Sequence, residues 1–185
     1  MCTQYEFLMI NIVRQVIDKQ TCEVLCNSME LMRVMMGNPP DPTINNAFGY
    51  YSPVFLEGLL LWMQPEIEKN IDKKLYPTYS YGRIYGYGSK LEKHTDRPSG
   101  EYGVTCCLEK QCDYPIFFEM EGGHKVEVEL NVGDICIYKG MEYPHWREPY
   151  QGARHIQVFL MYVDRSGLYQ DWKWDRRSSL CQPPN

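Results

Sequence analysis

The chain has 185 residues, 44% of them hydrophobic and 23% charged, with a formal net charge of −5. That length suits a single domain, 1–185, with a substantial core. The acidic balance argues against nucleic-acid binding, which needs a basic patch, and runs such as Leu59-Leu60-Leu61-Trp62-Met63 are far too short to cross a bilayer.

Eight cysteines stand at 2, 22, 26, 106, 107, 112, 136 and 181, with no CxxC pair to suggest structural zinc. Cys22, Cys26, Cys136 and the Cys106-Cys107 pair sit among apolar neighbours and read as buried small hydrophobes. No charged-then-apolar leader opens the sequence, so a reducing, cytoplasmic setting is expected.

Residues 5–13 are apolar-rich and read as an opening strand or a helix start. Cys22, Leu25, Cys26, Met29, Met32 and Met36 then recur at three- and four-residue steps, a helix stripe. Gly37-Asn38-Pro39-Pro40-Asp41-Pro42 breaks it, as a plain connector or a loop over a site. Ser52-Pro53 has the form of a hydroxyl N-cap with proline at the first helical position. Val54, Phe55, Leu59, Trp62, Met63 and Ile67 would carry that second helix's apolar face, with Pro65 kinking it or opening another. After Leu75 the pattern turns to aromatic-rich alternation. Strand-like runs cover 76–87, 102–108, 115–120, 125–130, 134–138 and 154–163, with turns at Gly122-Gly123 and Gly133. The expected division is helical support over 1–75, a β core over 76–164 and a surface tail, 165–185, fraying at its end. Helices followed by short strands predict a mainly β, α+β fold of the jelly-roll kind.

The chemistry-bearing residues are His94-Thr95-Asp96, His145 and Arg154. Residues two apart on a strand share a face, and two imidazoles with one carboxylate form the facial triad that holds non-haem Fe(II) with open positions. Arg154, nine residues after His145, is placed to grip the far carboxylate of an oxo-acid co-substrate with its planar fork. Each piece also has a bland reading: 93–97 as a charged surface turn, His145 as a turn histidine, Arg154 as a solvent-facing strand start. Arg83, Lys90, Lys93 and Arg97 cluster nearby as local electrostatics for an anionic co-substrate. His155 neighbours Arg154 and so takes the opposite face; His124 sits in an exposed turn.

The segment 81–97 (Tyr-Gly-Arg-Ile-Tyr-Gly-Tyr-Gly-Ser-Lys-Leu-Glu-Lys-His-Thr-Asp-Arg), with 133–154 and the strand after it, resembles the 2-oxoglutarate/Fe(II)-dependent dioxygenases of the prolyl 4-hydroxylase type. The small phage and bacterial members are closest; a phage-encoded member would act in the host cytoplasm. The resemblance covers roughly 76–164 and implies a double-stranded β-helix, a cupin-like jelly roll. It implies His94, Asp96 and His145 as iron ligands, Arg154 on the C5 carboxylate of 2-oxoglutarate, Tyr85 lining that pocket and Thr105 adding a hydrogen bond. It also implies Fe(II), 2-oxoglutarate and O2 as cofactor and co-substrates, with ascorbate as an optional reductant. The expected reaction is hydroxylation of a prolyl or other amino-acid residue, with release of succinate and CO2. Asp96 favours hydroxylation over halogenation, since related halogenases lack this carboxylate. Arg154 departs from the collagen-type enzymes, which carry lysine there. Arg97, Tyr87, Trp146 and Tyr50-Tyr51 are candidates for the substrate rim, and the substrate is a peptide, a protein or a small molecule. Two other readings stand beside this one: a non-catalytic, virion-associated structural module, and a cupin-type metal enzyme that does not use 2-oxoglutarate.

Overall fold

The computed structural model describes residues 10–183. β1 (Ile10–Val13) is a strand; the rest of the predicted 5–13 segment lies outside the described residues. α1 (Lys19–Met35) starts where Asp18 caps the Thr21 amide at 2.9 Å, and buries Cys22, Leu25, Cys26 and Met29. β2 (Ala47–Tyr51) follows, a strand that alternation did not announce. α2 (Val54–Ile71) runs through Pro65 without breaking. Its buried stripe is Leu56, Leu59, Leu60, Met63 and Ile67, whereas Val54 and Trp62 are 71% and 59% exposed, so the apolar face is rotated from the predicted one. Pro53, not Ser52, is its N-cap; Ser52 takes a left-handed φ of 49° and its amide donates to the Ser80 carbonyl.

Eight strands then build the core: β3 (Leu75–Tyr85), β4 (Leu91–His94), β5 (Tyr102–Lys110), β6 (Ile116–Glu119), β7 (Lys125–Val128), β8 (Ile135–Lys139), β9 (His145–Arg147) and β10 (His155–Asp164). They form two antiparallel sheets, one ordered β1-β8-β5-β10-β3-β2 and the other β4-β9-β6-β7. The alternation is a double-stranded β-helix with α1 and α2 against the outer face of the larger sheet. Outward residues such as Ile84, Val104, Ile137, Ile156, Val158 and Leu160 meet the helices. Inward residues such as Phe118, Cys136 and Tyr138 meet between the sheets. A Cβ on Gly82 would strike Leu56 and Met29, so glycine there sets how closely both helices approach the sheet. Cys22, Cys26, Cys106, Cys107 and Cys136 are free and buried, as small hydrophobes are. No helix among the described residues is long and apolar enough to cross a membrane.

The tail packs on the body of the protein as far as Arg177; of the end expected to fray, 183–185, all but Pro183 lies outside the described residues. Past a 3-10 segment, Gln170–Arg176, Arg177 is buried and donates to Glu57 Oε1 of α2 at 2.6 Å and to the Thr78 carbonyl at 3.0 Å. Both side chains are essentially inaccessible. Removing one partner strands the other charge in the interior. Arg177→Met is therefore expected to cost about 3–5 kcal/mol in urea unfolding, and the double variant Glu57→Leu/Arg177→Met to cost clearly less.

Candidate metal centre

Strand pairing brings the three predicted donors together. β4 ends on His94 and β9 begins on His145, and the two residues are cross-strand partners. Asp96 follows β4, with its amide donating to the Gly140 carbonyl at 2.8 Å. Asp96 Oδ1 lies 3.7 Å from His94 Nε2, and Oδ2 lies 3.8 Å from His145 Nε2. One ligand atom from each residue falls within 4.8 Å of the others. The Nδ1 atoms of His94 and His145 sit 2.8 and 2.9 Å from the carbonyls of Glu92 and Tyr143. A carbonyl only accepts, so each Nδ1 is assigned the proton and each Nε2 offers a lone pair. Such outer hydrogen bonds orient metal-ligating histidines.

The electrostatics show what the cluster lacks. Burial pushes the Asp96 carboxyl up to about 6, against the opposing pull of His94 and Arg97. Burial also pushes His145 down to about 4, with His94 adding to it. Asp96 Oδ2 is buried without a hydrogen-bond partner among the described residues. An orphaned carboxylate oxygen beside two imidazole Nε2 atoms fits a divalent cation, and this donor set suits Fe(II).

A cavity of about 500 Å³ opens over the triad, walled by Ile44, Tyr51, Tyr79, Tyr81, Arg83 and Phe159 among others. The 37–42 loop is more than a connector. Its Asp41 is buried, accepting from Arg83 Nε at 2.7 Å and from the Tyr81 hydroxyl at 2.9 Å, while Pro42 lines the cavity. Of the predicted rim, Arg97 and Tyr51 line the cavity, joined through Asp175 of the tail. Tyr50 packs toward the helices, Tyr87 is exposed, and Trp146 packs tilted against Phe117, ring centres 5.7 Å apart, on the outer side of the smaller sheet. Lys90 and Lys93 pair with Glu92 and Glu119 at the surface.

The structure does not bring Arg154 to the triad. Its guanidinium pairs with Glu109 at 2.7 Å and with Glu30 of α1 at 3.2 Å, on the helix side of the larger sheet. The predicted alternation with His155 holds, but with the sides reversed. β10 turns His155, Gln157, Phe159 and Met161 inward, and the even-numbered positions face the helices. Tyr85 and Thr105 are both inward and buried: the Tyr85 hydroxyl accepts from Arg83 Nη1 at 3.2 Å, and Thr105 Oγ1 accepts from Gln157 Nε2 at 2.5 Å. His155 packs edge-on against Tyr85, Tyr114 and Tyr150. Arg147, which was not singled out in the sequence, is buried on the same face of β9 as His145. The two-residue spacing from a candidate ligand was the signal that could have found it.

With this geometry established, comparison with known proteins identifies the fold. A Pseudomonas putida prolyl-4-hydroxylase superposes with a TM-score of 0.67 at 14% identity, over 85% of this chain and 94% of that one. HygX from Streptomyces hygroscopicus, with nickel and 2-oxoglutarate bound, gives 0.68 at 11% identity, over 86% and 84%. A Trichoplax adhaerens prolyl hydroxylase, in complex with a hypoxia inducible factor oxygen degradation domain peptide fragment, gives 0.64 at 14% identity, over 85% and 84%. The chain thus has the fold of the prolyl-4-hydroxylase-like 2-oxoglutarate/Fe(II) oxygenases. No protein-family model matches it. No curated protein matches it in sequence.

Two outcomes are expected. A Cβ at position 140 would strike Asp96 Oδ2 and the Gly100 carbonyl, so Gly140→Ala should weaken divalent-metal binding at least about tenfold in a metal titration, with His155→Ala leaving it unchanged. The second concerns acid. Burial first, and the Arg147 charge second, hold His155 down at about 3. The unfolded chain therefore binds the extra proton between the ordinary histidine range and that value, and stability falls as pH falls through this window. Each such histidine contributes a slope of up to about 1.4 kcal/mol per pH unit. In metal-free protein, His155→Gln should show a shallower loss of unfolding free energy from pH 6 to 4 than the parent; equal slopes would contradict this.

Proposed function

We propose that the protein is an Fe(II)- and 2-oxoglutarate-dependent dioxygenase that hydroxylates an unactivated C–H bond of a prolyl or other amino-acid residue in a peptide or protein. The observation that carries this reading is the His94, Asp96 and His145 cluster, set at the mouth of a double-stranded β-helix. When bound, Fe(II) with 2-oxoglutarate and O2 would supply the oxidising chemistry, one oxygen atom entering the C–H bond and the other the succinate formed with CO2.

The chain's own residues would do the rest. His94, Asp96 and His145 would hold one face of the ion and leave the opposite positions for co-substrates. The carbonyls of Glu92 and Tyr143 would keep both rings in register. Tyr79, Tyr81 and Phe159 would form a largely apolar wall that excludes water and accepts an apolar ring such as that of proline. The peptide-bound hydroxylase of the same fold supports a peptide substrate, and the 2-oxoglutarate-bound HygX supports the co-substrate.

The test is anaerobic. Fe(II) and then 2-oxoglutarate are added to metal-free protein, and the visible metal-to-ligand charge-transfer band is recorded. The band is expected in the parent and absent in folded Asp96→Ala and His145→Ala. Its absence from folded parent would refute the reading. A peptide library is then expected to yield products heavier by one oxygen atom; a hydroxylated free metabolite with no peptide product would overturn the peptide assignment alone.

A further inference from the structure

The cavity borders a surface patch that the proposed chemistry leaves unused. Residues 165–177 hold four basic side chains and two acidic ones, in a chain of net charge −5. Two of the six are used inward: Arg177 on Glu57, and Asp175 on Arg97 and Tyr51. Arg165, Lys173 and Arg176 remain exposed or half-buried, with Asp171 as the one other acid of the segment.

These cations rest on aromatic rings. The Arg165 guanidinium carbon and Lys173 Nζ lie 4.9 and 4.8 Å from the centre of the same ring, Tyr76. Lys173 Nζ is also 4.1 Å from the Trp174 ring centre, and the Arg176 guanidinium carbon is 3.8 Å from that of Trp172. Arg165 Nη2 donates to the Leu75 carbonyl at 3.4 Å. Neither Arg165 nor Lys173 forms an ion pair with a described residue. The carboxylates close by are engaged, Asp164 by Lys73 at 2.6 Å and Glu68 by Lys74 at 2.7 Å. Two like charges that share one ring repel, and an anion between them would relieve the repulsion. A ring covers one side of a guanidinium and leaves its N–H edge open to carboxylate oxygens.

One residue joins this patch to the cavity. Asp175 stands between Trp174 and Arg176, and its carboxylate accepts from both terminal nitrogens of Arg97 at 2.6 Å and from the Tyr51 hydroxyl at 2.5 Å. Arg97 and Tyr51 line the cavity over the triad. Residues 174, 175 and 176 all have left-handed backbones, φ 54°, 57° and 61°. Such backbone persists only where its surroundings hold it, and it gathers at functional sites. Tyr76 stands three residues before the cavity-lining Tyr79 on β3, about 10 Å along the strand.

We propose that Arg165, Lys173 and Arg176, with the rings of Tyr76, Trp172 and Trp174, bind an acidic stretch of the substrate beside the residue presented to the triad. The substrate is then a peptide or protein with carboxylates within about six residues of its target, roughly 20 Å of extended chain. This rests on the proposed peptide hydroxylation. A long polyanion suits the surface less: the net charge of −5 repels it as a whole, whereas a short acidic stretch meets only the local field.

The test uses two fluorescent proline-centred peptides, one with four glutamates within six residues of the proline and one with four glutamines in their place. In anisotropy titrations at low salt, the parent is expected to bind the glutamate peptide about tenfold more tightly, the scale of two or three exposed ion pairs, and to lose that preference in high salt. Arg165→Ser/Lys173→Ser should cut the preference to about threefold or less. Lys19→Ser/Lys125→Ser, which removes the same charge from α1 and β7, should keep it. Should the first double variant fail to fold, Arg165→Gln/Lys173→Gln retains more of both stems and is expected to act alike. In turnover of the glutamate peptide, the patch variant should raise KM with kcat unchanged, because its contacts lie away from the reacting carbon. Equal binding of the two peptides by folded parent, or full parental preference in a folded patch variant, overturns the inference and leaves the proposed function intact. Tighter binding of a thymidine oligonucleotide or of phosphatidylserine vesicles through the same two residues assigns the patch to another polyanion and also overturns it. A glutamate preference set by the patch, with no peptide gaining an oxygen atom, supports the acidic-peptide site and overturns peptide hydroxylation.

Discussion

The register between β4 and β9 is the constraint on which the centre depends. It sets His94 opposite His145 at the open end of the smaller sheet. A slip of one residue would turn His145 and Arg147 outward and Trp146 inward. Phe118, the partner of His145 on β6, and Tyr138 from the opposite sheet pack against the His145 ring and resist that slip. Asp96 depends on the same geometry at one remove. It leaves β4, bonds the Gly140 carbonyl, and occupies space that side chains at 100 and 140 would fill.

Most buried charges among the described residues are paired. Asp41 is matched by Arg83, Glu57 by Arg177, and Asp175 by Arg97. The exceptions are the orphaned oxygen of Asp96 and the guanidinium of Arg147. Asp96 lies just past β4 and Arg147 closes β9; the first calls for a cation. Buried charges are tolerated when something completes them, and a divalent cation would complete the orphaned oxygen of Asp96.

The parts outside the β core serve this arrangement. α1 and α2 cover the outer face of the larger sheet, so that sheet's inner face is left to the cavity. The loop after α1 delivers Asp41 to Arg83 and Tyr81, and the tail delivers Asp175 to Arg97 and Tyr51. Two cavity walls are thus held by segments distant in sequence. The left-handed backbone at Trp174, Asp175 and Arg176 turns the tail through that contact.

The sequence by itself indicated the mainly β fold class and singled out the three clustered residues His94, Asp96 and His145, because strand alternation and metal-ligand chemistry are written in residue type and spacing; it did not show that β1 and β2 of the first 75 residues join the larger sheet. Short strands escaped it: β2, β4 and β9 are too brief, or too rich in glycine and charge, for alternation to register. So did the rotation of α2, whose exposed Trp62 is as apolar as its buried Met63. The tertiary structure alone decided which of Arg154 and His155 faces inward. Alternation makes the two exclusive, yet only the pairing of β10 between β3 and β5 fixes which side is which. It alone revealed Arg147 as a buried cation without an anion, because pairing is a property of space that one chain of residue names does not carry.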